Sequence, residues 1–323
     1  MIKVEWFYWL IAVFFLAVGF MVLRDRSNPN RIWSGAFWSL LGLCFSYSSF
    51  VVAKTAPGWP LGLAIVAIAG IAGFGKLSRG TQERTTTPEE RETLSARFGN
   101  KLFLPVLVVP VVTGVFAILG PKISIGGRPV LEPLSETVIG LGASAIIAVA
   151  VGMWLLRTPH PAVVLHEGRR LTETIGWAAI LPQLLAMLGL VFATAGVGKA
   201  IGTTVENILP KGSLIAAVAL YCLGMAVFTA ITGNAFAAFP VMTAAIGYPL
   251  LVEQYHGTAA AVFAIGMLSG YCGTLLTPMA ANFNIVPVAL LGLKSDWAVI
   301  RAQIPTAVPL LAANIGLMYY LAF

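Results

Sequence analysis

Charge is what this sequence has least of. Only 10% of its 323 residues are charged while 58% are hydrophobic, whereas a soluble domain carries about one quarter charged residues. That balance excludes a soluble globular protein and leaves no segment large enough for a separate soluble domain. The thirteen acidic residues all fall in loops or at the edges of apolar runs. Their absence from run interiors argues against a relay of buried carboxylates and against a voltage sensor, both of which need ionisable groups inside the membrane. It leaves transport open, because broken helices can hold ions and anions with backbone groups alone.

Other scarcities narrow the chemistry. The three cysteines, Cys44, Cys222 and Cys272, lie within apolar runs and form no CxxC or metal-type spacing, so they read as small buried residues. Histidine is equally rare, with three residues. His160, His166 and Glu167 form HPAVVLHE beside Arg169 and Arg170, without the His-Glu-x-x-His spacing of a helical zinc site, and read as a solvated loop, as does His256. No metal site, cofactor site or Ser-His-Asp set emerges, so the expectation is a protein that is not an enzyme.

What fills the chain is a series of apolar runs, at about 5–23, 34–53, 60–75, 102–120 and 137–156, then about 174–196, 213–231, 235–252, 258–276, 282–293 and 302–322. A helix needs roughly 20 apolar residues to cross a hydrocarbon core of about 30 Å. The fold expected is all-α and polytopic: one integral membrane domain over residues 1–323, with about 8–11 membrane segments. Residues 1–170 supply regular spans with a cytoplasmic loop at about 76–101, and residues 171–323 form a region of broken helices. The first run, WFYWLIAVFFLAVGFMVL, is followed by Arg24 and Arg26 without a small-residue cleavage site, and is expected to remain as the first span.

The net charge of +7 does not point to nucleic acid, because the basic residues sit in short loops. Twelve of them, Arg24 to Arg31, Lys76 to Lys101 and Arg157 to Arg170, fall in alternate loops of the first half, against four (Lys3, Lys54, Lys122, Arg128) on the opposite side. By the positive-inside tendency the amino terminus lies outside and the three basic loops are cytoplasmic. Within the longest of these, PEERETLSARF reads as a short solvated helix with Thr87 as cap, Pro88 in the first turn, and Glu89 and Glu90 at the positive end of the dipole. A weak internal similarity pairs Leu104-Pro105 with Leu181-Pro182 and VFAILG with VFATAG, which fits the internal repeats of many transporters.

Three interruptions break the later runs. In ATAGVGKAIGTTVENILPKG, Gly196 and Gly198 mark either a re-entrant hairpin tip or a tight turn between spans. A phosphate loop is rejected, since it needs a glycine and a hydroxyl where this chain has Ala193 and Ala200. In VFTAITGNAFAAFPVMTAAIGYP, two apolar segments meet at Thr232-Gly233-Asn234, readable as a surface turn with Asn234 as cap or as a break within the membrane. No charge separates Lys211 from Glu253, which would leave a surface loop unusually bare. In GYCGTLLTPMAANFNIVP, Thr277-Pro278 ends a helix, because proline lacks an amide donor and crowds the preceding turn. Asn282 and Asn284 follow, offering donors and acceptors without charge. Irregular chain at membrane depth must be buried in protein or line a watery cavity. The breaks at 234–240 and 282–287 therefore suggest a paired site in which half-helix amino termini receive a carboxylate and exposed carbonyls hold a cation such as sodium.

The stretches LAMLGLVFATAGVGKAIG, GNAFAAFPVMTAAIGYPLL and GMLSGYCGTLLTPMAANFNIVPVALL closely resemble a bacterial membrane family labelled domain-of-unknown-function family 979. Its members are described as one subunit of a pyroglutamate (5-oxoproline) transporter related to the ion transporter superfamily. The resemblance implies a subunit of a secondary active transporter in the bacterial cytoplasmic (inner) membrane. It also implies a smaller companion membrane subunit, a small carboxylate substrate and coupling to sodium or protons. Substrate would meet Gly233, Asn234, Thr277, Pro278, Asn282 and Asn284, with Asn234, Asn282 and Asn284 as contacts and the others shaping the breaks. A scaffold subunit that does not itself transport is the competing expectation.

Overall fold

A computed structural model describes residues 1–80, 87–126, 128–157, 160, 162–208 and 213–323. Arg84 of the longest basic loop, and Pro210 and Lys211 at the end of the first interruption, lie outside these residues. The chain is a helical, multi-pass membrane protein. Among the described residues, seven helices are long and apolar enough to cross a membrane, and two apolar helices of 10–17 residues, Trp59–Gly73 and Ala259–Thr274, add to them. The chain divides into two compact units, Met1–Glu173 and Thr174–Phe323.

The first unit contains α1 (Glu5–Arg24), α2 (Arg31–Val52), α3 (Trp59–Gly73), α4 (Pro88–Phe98), α5 (Leu104–Leu119), α6 (Glu136–Leu156) and most of α7 (Ala162–Ile175). Where α1 meets α2, glycines take the place of side chains: a Cβ at Gly42 would stand 2.9 Å from the Ala12 carbonyl oxygen. Close backbone approach through small residues is the packing expected in lipid, where burial of apolar surface supplies no drive. Trp38, buried on α2, stacks on Phe15 of α1 with ring centroids 5.8 Å apart.

Loops of the first unit bond to one another in two groups. Asn28, between α1 and α2, donates its amide to the Ser78 carbonyl at 2.8 Å, and Ser34 donates its hydroxyl to the same oxygen at 2.9 Å. Arg169 on α7 pairs with Asp25. Three basic segments are therefore bonded to one another. On the other set of loops, the amino terminus joins the short hairpin of β1 (Ser124–Ile125) and β2 (Arg128–Pro129): Ile2 donates to the Val130 carbonyl at 2.7 Å, and Val4 to the Glu132 carboxylate at 2.9 Å.

Thr87 caps α4 in a reciprocal box, its hydroxyl accepting from the Glu90 amide at 3.2 Å while the Glu90 carboxylate accepts from the Thr87 amide at 2.9 Å. A capping side chain is worth about 1 kcal/mol. Thr87→Ala is accordingly expected to speed hydrogen exchange at the first amides of α4 by roughly fivefold, with no change elsewhere.

One expectation is corrected here. The HPAVVLHE stretch is not a loop throughout, because α7 begins at Ala162 and carries His166 and Glu167 on an amphipathic helix. Its Arg170 pairs with Glu167 three residues earlier, the helical spacing at which such pairs meet.

The second unit contains α8 (Leu181–Thr194), α9 (Val197–Ile208), α10 (Leu214–Thr232), α11 (Ala235–Met242), α12 (Ala259–Thr274), α13 (Ile285–Leu291) and α14 (Ala298–Ala322). Helix α11 runs on into a π-helical stretch, Thr243–Gln254, a rare form that tends to occur at functional places. Its first residue shares a hydrogen bond of 3.0 Å between the Thr243 and Tyr221 hydroxyls. Tyr221 is fully buried within a core of α10, α12, α14 and the π-helix that includes Met225, Ile246, Val262 and Met318.

The Leu-Pro similarity has a structural counterpart. Gly99 and Gly176 both take positive φ, each opens a five-residue 3-10 turn (Gly99–Phe103 and Gly176–Ile180), and each turn leads into a helix whose first residues are Leu-Pro.

Candidate functional site

The site is built by two helix breaks that touch. Helix α10 ends at Thr232 with Gly233 in the left-handed conformation (φ 74°), whose amide donates to the Thr229 carbonyl at 2.7 Å. Only glycine takes this shape without cost. A second constraint falls on the same residue: a Cβ there would lie 2.5 Å from the Met279 carbonyl oxygen, which belongs to the other break. Gly233 thus both turns the chain and admits the segment after α12.

Asn234 then starts α11. Its side-chain oxygen accepts from the Phe236 amide at 2.8 Å, and its carbonyl accepts from Ala237 and Ala238. The capping role open to Asn234 from sequence is therefore filled, with the cap set against another break.

Helix α12 reaches this place because its glycines let it lie directly on α10. A Cβ at Gly270 would meet Ala235 Cβ at 3.1 Å and the Thr229 hydroxyl at 3.2 Å, and one at Gly273 would run into the Ala226 backbone. The helix stops at Thr274, three residues before Thr277, and irregular chain continues to Asn284. Asn284 holds that chain in shape. It is fully buried, and its amide nitrogen donates to the carbonyls of Thr274 at 2.9 Å and Thr277 at 2.7 Å. Those donations stand in for helical bonds lost at the break, while Asn284 Oδ1 finds no partner among the described residues. Thr277, also buried, turns inward too, its hydroxyl accepting from the Met279 amide at 3.2 Å.

Between the two breaks lies a cavity of about 190 Å³. Gly233, Asn234, Ala235 and Phe236 supply the amino end of α11. Tyr271 and Thr274 supply the carboxyl end of α12, and Ala280 to Phe283 the irregular chain, with Leu181 completing the wall. Three rings frame it: Phe236 meets Tyr271 edge-on at 6.1 Å, and Tyr271 meets Phe283 at 6.5 Å. Every lining residue is uncharged, so polar recognition falls to the amides of Asn234 and Asn282, the Tyr271 hydroxyl and the partly positive helix end.

Of the residues expected from sequence, Gly233, Asn234 and Asn282 line the cavity. Thr277, Pro278 and Asn284 do not; Thr277 and Asn284 are buried in the segment that follows α12. The aromatic frame of Phe236, Tyr271 and Phe283 escaped sequence reading, although Phe283 stands between Asn282 and Asn284. An aromatic residue in an apolar run carries no mark of facing a cavity.

Gly196 and Gly198 lie elsewhere in the unit. Gly196 (φ 72°) is the exposed turn of a hairpin formed by α8 and α9. Helix α8 has 14 residues, hence a length of about 21 Å at 1.5 Å per residue, short of the roughly 30 Å core. Three glycines of the hairpin lie along the backbone of α11 and its π-helical extension. A Cβ at Gly189 would stand 2.8 Å from Ala237 Cα, one at Gly198 3.1 Å from the Val241 oxygen, and one at Gly202 3.2 Å from the Ala245 oxygen. The hairpin thereby braces the helix whose amino end faces the cavity.

Residues 5–323 match the family model described as "Protein of unknown function (DUF979)". The chain belongs to the DUF979 family. No curated protein and no solved structure matches it. The match covers both helix breaks of this DUF979 protein, so the cavity-lining residues all lie within the family's extent. Among the described residues, no group of three or more His, Cys, Asp or Glu side chains is placed to hold a metal ion.

Proposed function

We propose that this DUF979 protein is a subunit of a secondary active transporter that imports pyroglutamate, or a similar small carboxylate, across the bacterial cytoplasmic membrane by alternating access. The observation that carries the reading is the uncharged cavity between two touching helix breaks. A carboxylate placed there meets the amino end of α11, where the helix dipole favours negative charge without an arginine. Asn234 and Asn282 offer amide donors and acceptors to the polar edge of the ligand. The rings of Phe236, Tyr271 and Phe283 suit its apolar face. A volume of about 190 Å³ is below the roughly 300 Å³ at which pockets for drug-sized ligands begin, which favours a small metabolite. In this reading the amino terminus is outside, a smaller membrane subunit completes the carrier, and a sodium or proton gradient drives uptake.

The deciding experiment is uptake of labelled pyroglutamate by membrane vesicles holding this chain, its companion, or both, with sodium and proton gradients imposed separately. Uptake that requires this chain supports the proposal, and full-rate uptake by the companion alone makes the chain a scaffold. Asn282→Ala and Asn234→Ser are then expected to raise the half-saturation concentration about fivefold each, since a lost amide contact costs on the order of 1 kcal/mol. Serine at 234 keeps a capping oxygen and so separates ligand contact from helix stability. Unchanged kinetics in both variants would place the substrate elsewhere.

A further inference from the structure

The first unit holds a buried acid that the proposed substrate site does not use. Glu173, near the end of α7, is 7% exposed although it sits at the edge of an apolar run. Its Oε2 accepts from Arg169 Nε at 2.9 Å, one helical turn away. Its Oε1 is buried and finds no partner among the described residues. Arg169 is shared, because its guanidinium also pairs with Asp25 in the loop after α1. Two carboxylates thus draw on one adjacent cation. Arg79, exposed on the segment that follows α3, adds a weaker favourable charge, while Asp25 adds an unfavourable one. On the same helix, Arg170 pairs with Glu167.

An ionised carboxylate wants several donors, and leaving one of its oxygens bare in a buried place is costly. A proton removes the charge and much of that cost. We propose that Glu173 is a proton-binding site, its carboxyl taking up a proton when the loop segment at Asp25 closes on Arg169 and releasing it when that contact opens. The ligand is the proton itself, and the transfer is a simple acid–base exchange with water. Burial pushes the Glu173 carboxyl above the usual range, against the opposing pull of Arg169. Burial raises Asp25 as well, but hydrogen bonds from Ser27 and Arg169 outweigh it and hold that group low. The two groups therefore act oppositely on stability. Glu173, raised in the fold, contributes stability that is full below its unfolded value and is lost as pH rises through its folded one. Asp25, depressed, contributes stability that is lost as pH falls.

The test uses the whole chain in lipid nanodiscs, following the infrared band of protonated carboxyl groups and the thermal unfolding midpoint across pH. In the wild type, a carboxyl signal is expected to persist above the ordinary glutamate range, with the midpoint falling as that signal is lost. Glu173→Gln keeps an acceptor for Arg169 but should abolish both the signal and the accompanying decline. Asp25→Asn should move both to lower pH, because it removes a like charge and frees Arg169 for Glu173. Should Glu173→Gln fail to fold, the Asp25→Asn shift decides alone. A titrating signal that survives in Glu173→Gln, or one that Asp25→Asn leaves in place, overturns the proposal. Neither readout requires transport, so its failure is distinguishable from failure of the carrier reading.

Discussion

Gly233→Ala is expected to lower stability by about 2–4 kcal/mol: about 1–2 for a left-handed non-glycine residue, the rest for overpacking. It should also reduce uptake by about tenfold or more, the equivalent of roughly 1.4 kcal/mol of lost substrate affinity. The clash decides the size of the effect. The new Cβ would meet the Met279 carbonyl oxygen at 2.5 Å and its carbonyl carbon at 2.7 Å, and backbone cannot rotate aside as a side chain can. One break must therefore move from the other, which widens the cavity they enclose. Gly196→Ala is the internal control. Gly196 has nearly the same φ, 72° against 74°, but nothing lies within 4 Å of its added carbon. Its cost should stay near the conformational figure of about 1–2 kcal/mol, with uptake largely preserved. Trimming Met279 to alanine should not rescue Gly233→Ala, because the nearest obstructing atoms are main chain. Equal losses from Gly233→Ala and Gly196→Ala, measured by unfolding in detergent and by vesicle uptake, would show that contact between the breaks is not what glycine at 233 protects.

How much of this was legible beforehand depended on whether the signal was local. The span positions follow from length and hydropathy, and α1, α2, α5, α6, α10 and α14 fall close to the apolar runs. The Thr87 cap was readable because a threonine followed by proline and two acids is a local helix-start pattern. The breaks were readable because Gly, Pro and Asn in an apolar chain have few other uses. What could not be read was the meeting of partners far apart in sequence. Nothing local says that Met279 will face Gly233. Nor does composition reveal that one asparagine of NFN lines a cavity while the other, two residues on, is buried and does not. Glu173 shows the same limit. At the edge of an apolar run it stood as one acid among thirteen, and its partner Arg169 is shared with Asp25, far away in sequence. Short elements were the other obstacle. The apolar run at about 174–196 divides into a 3-10 turn and α8, and the run at about 282–293 keeps only seven helical residues.

Asn284 carries the second large effect. Its amide donates to the Thr274 carbonyl at the end of α12 and to the Thr277 carbonyl within the irregular chain. Asn284→Leu keeps comparable bulk yet removes the donors, leaving the carbonyl of Thr274, a buried residue, without that partner. The Thr277 carbonyl keeps a long bond of 3.3 Å from the Ala280 amide, so the loss is one full partner and part of another. At about 1–3 kcal/mol for a buried group left unsatisfied, the expected cost is about 2–4 kcal/mol. Asn284→Asp should be no milder, although it is nearly isosteric, because it exchanges the two-donor amide group for a second acceptor facing two carbonyl oxygens. Gln fails for a different reason, since its extra methylene has no room at a fully buried position. All three substitutions should therefore lower the unfolding midpoint and speed hydrogen exchange at the Asn284 and Val286 amides, which bond within the break to the Ala280 and Ala281 carbonyls. A residue that only touched substrate would behave otherwise, changing uptake while leaving stability and exchange as they were. If Asn284→Leu follows that second pattern, the amide faces the ligand and not the carbonyls of its own break, and the division between Asn282 at the cavity and Asn284 within the break is wrong.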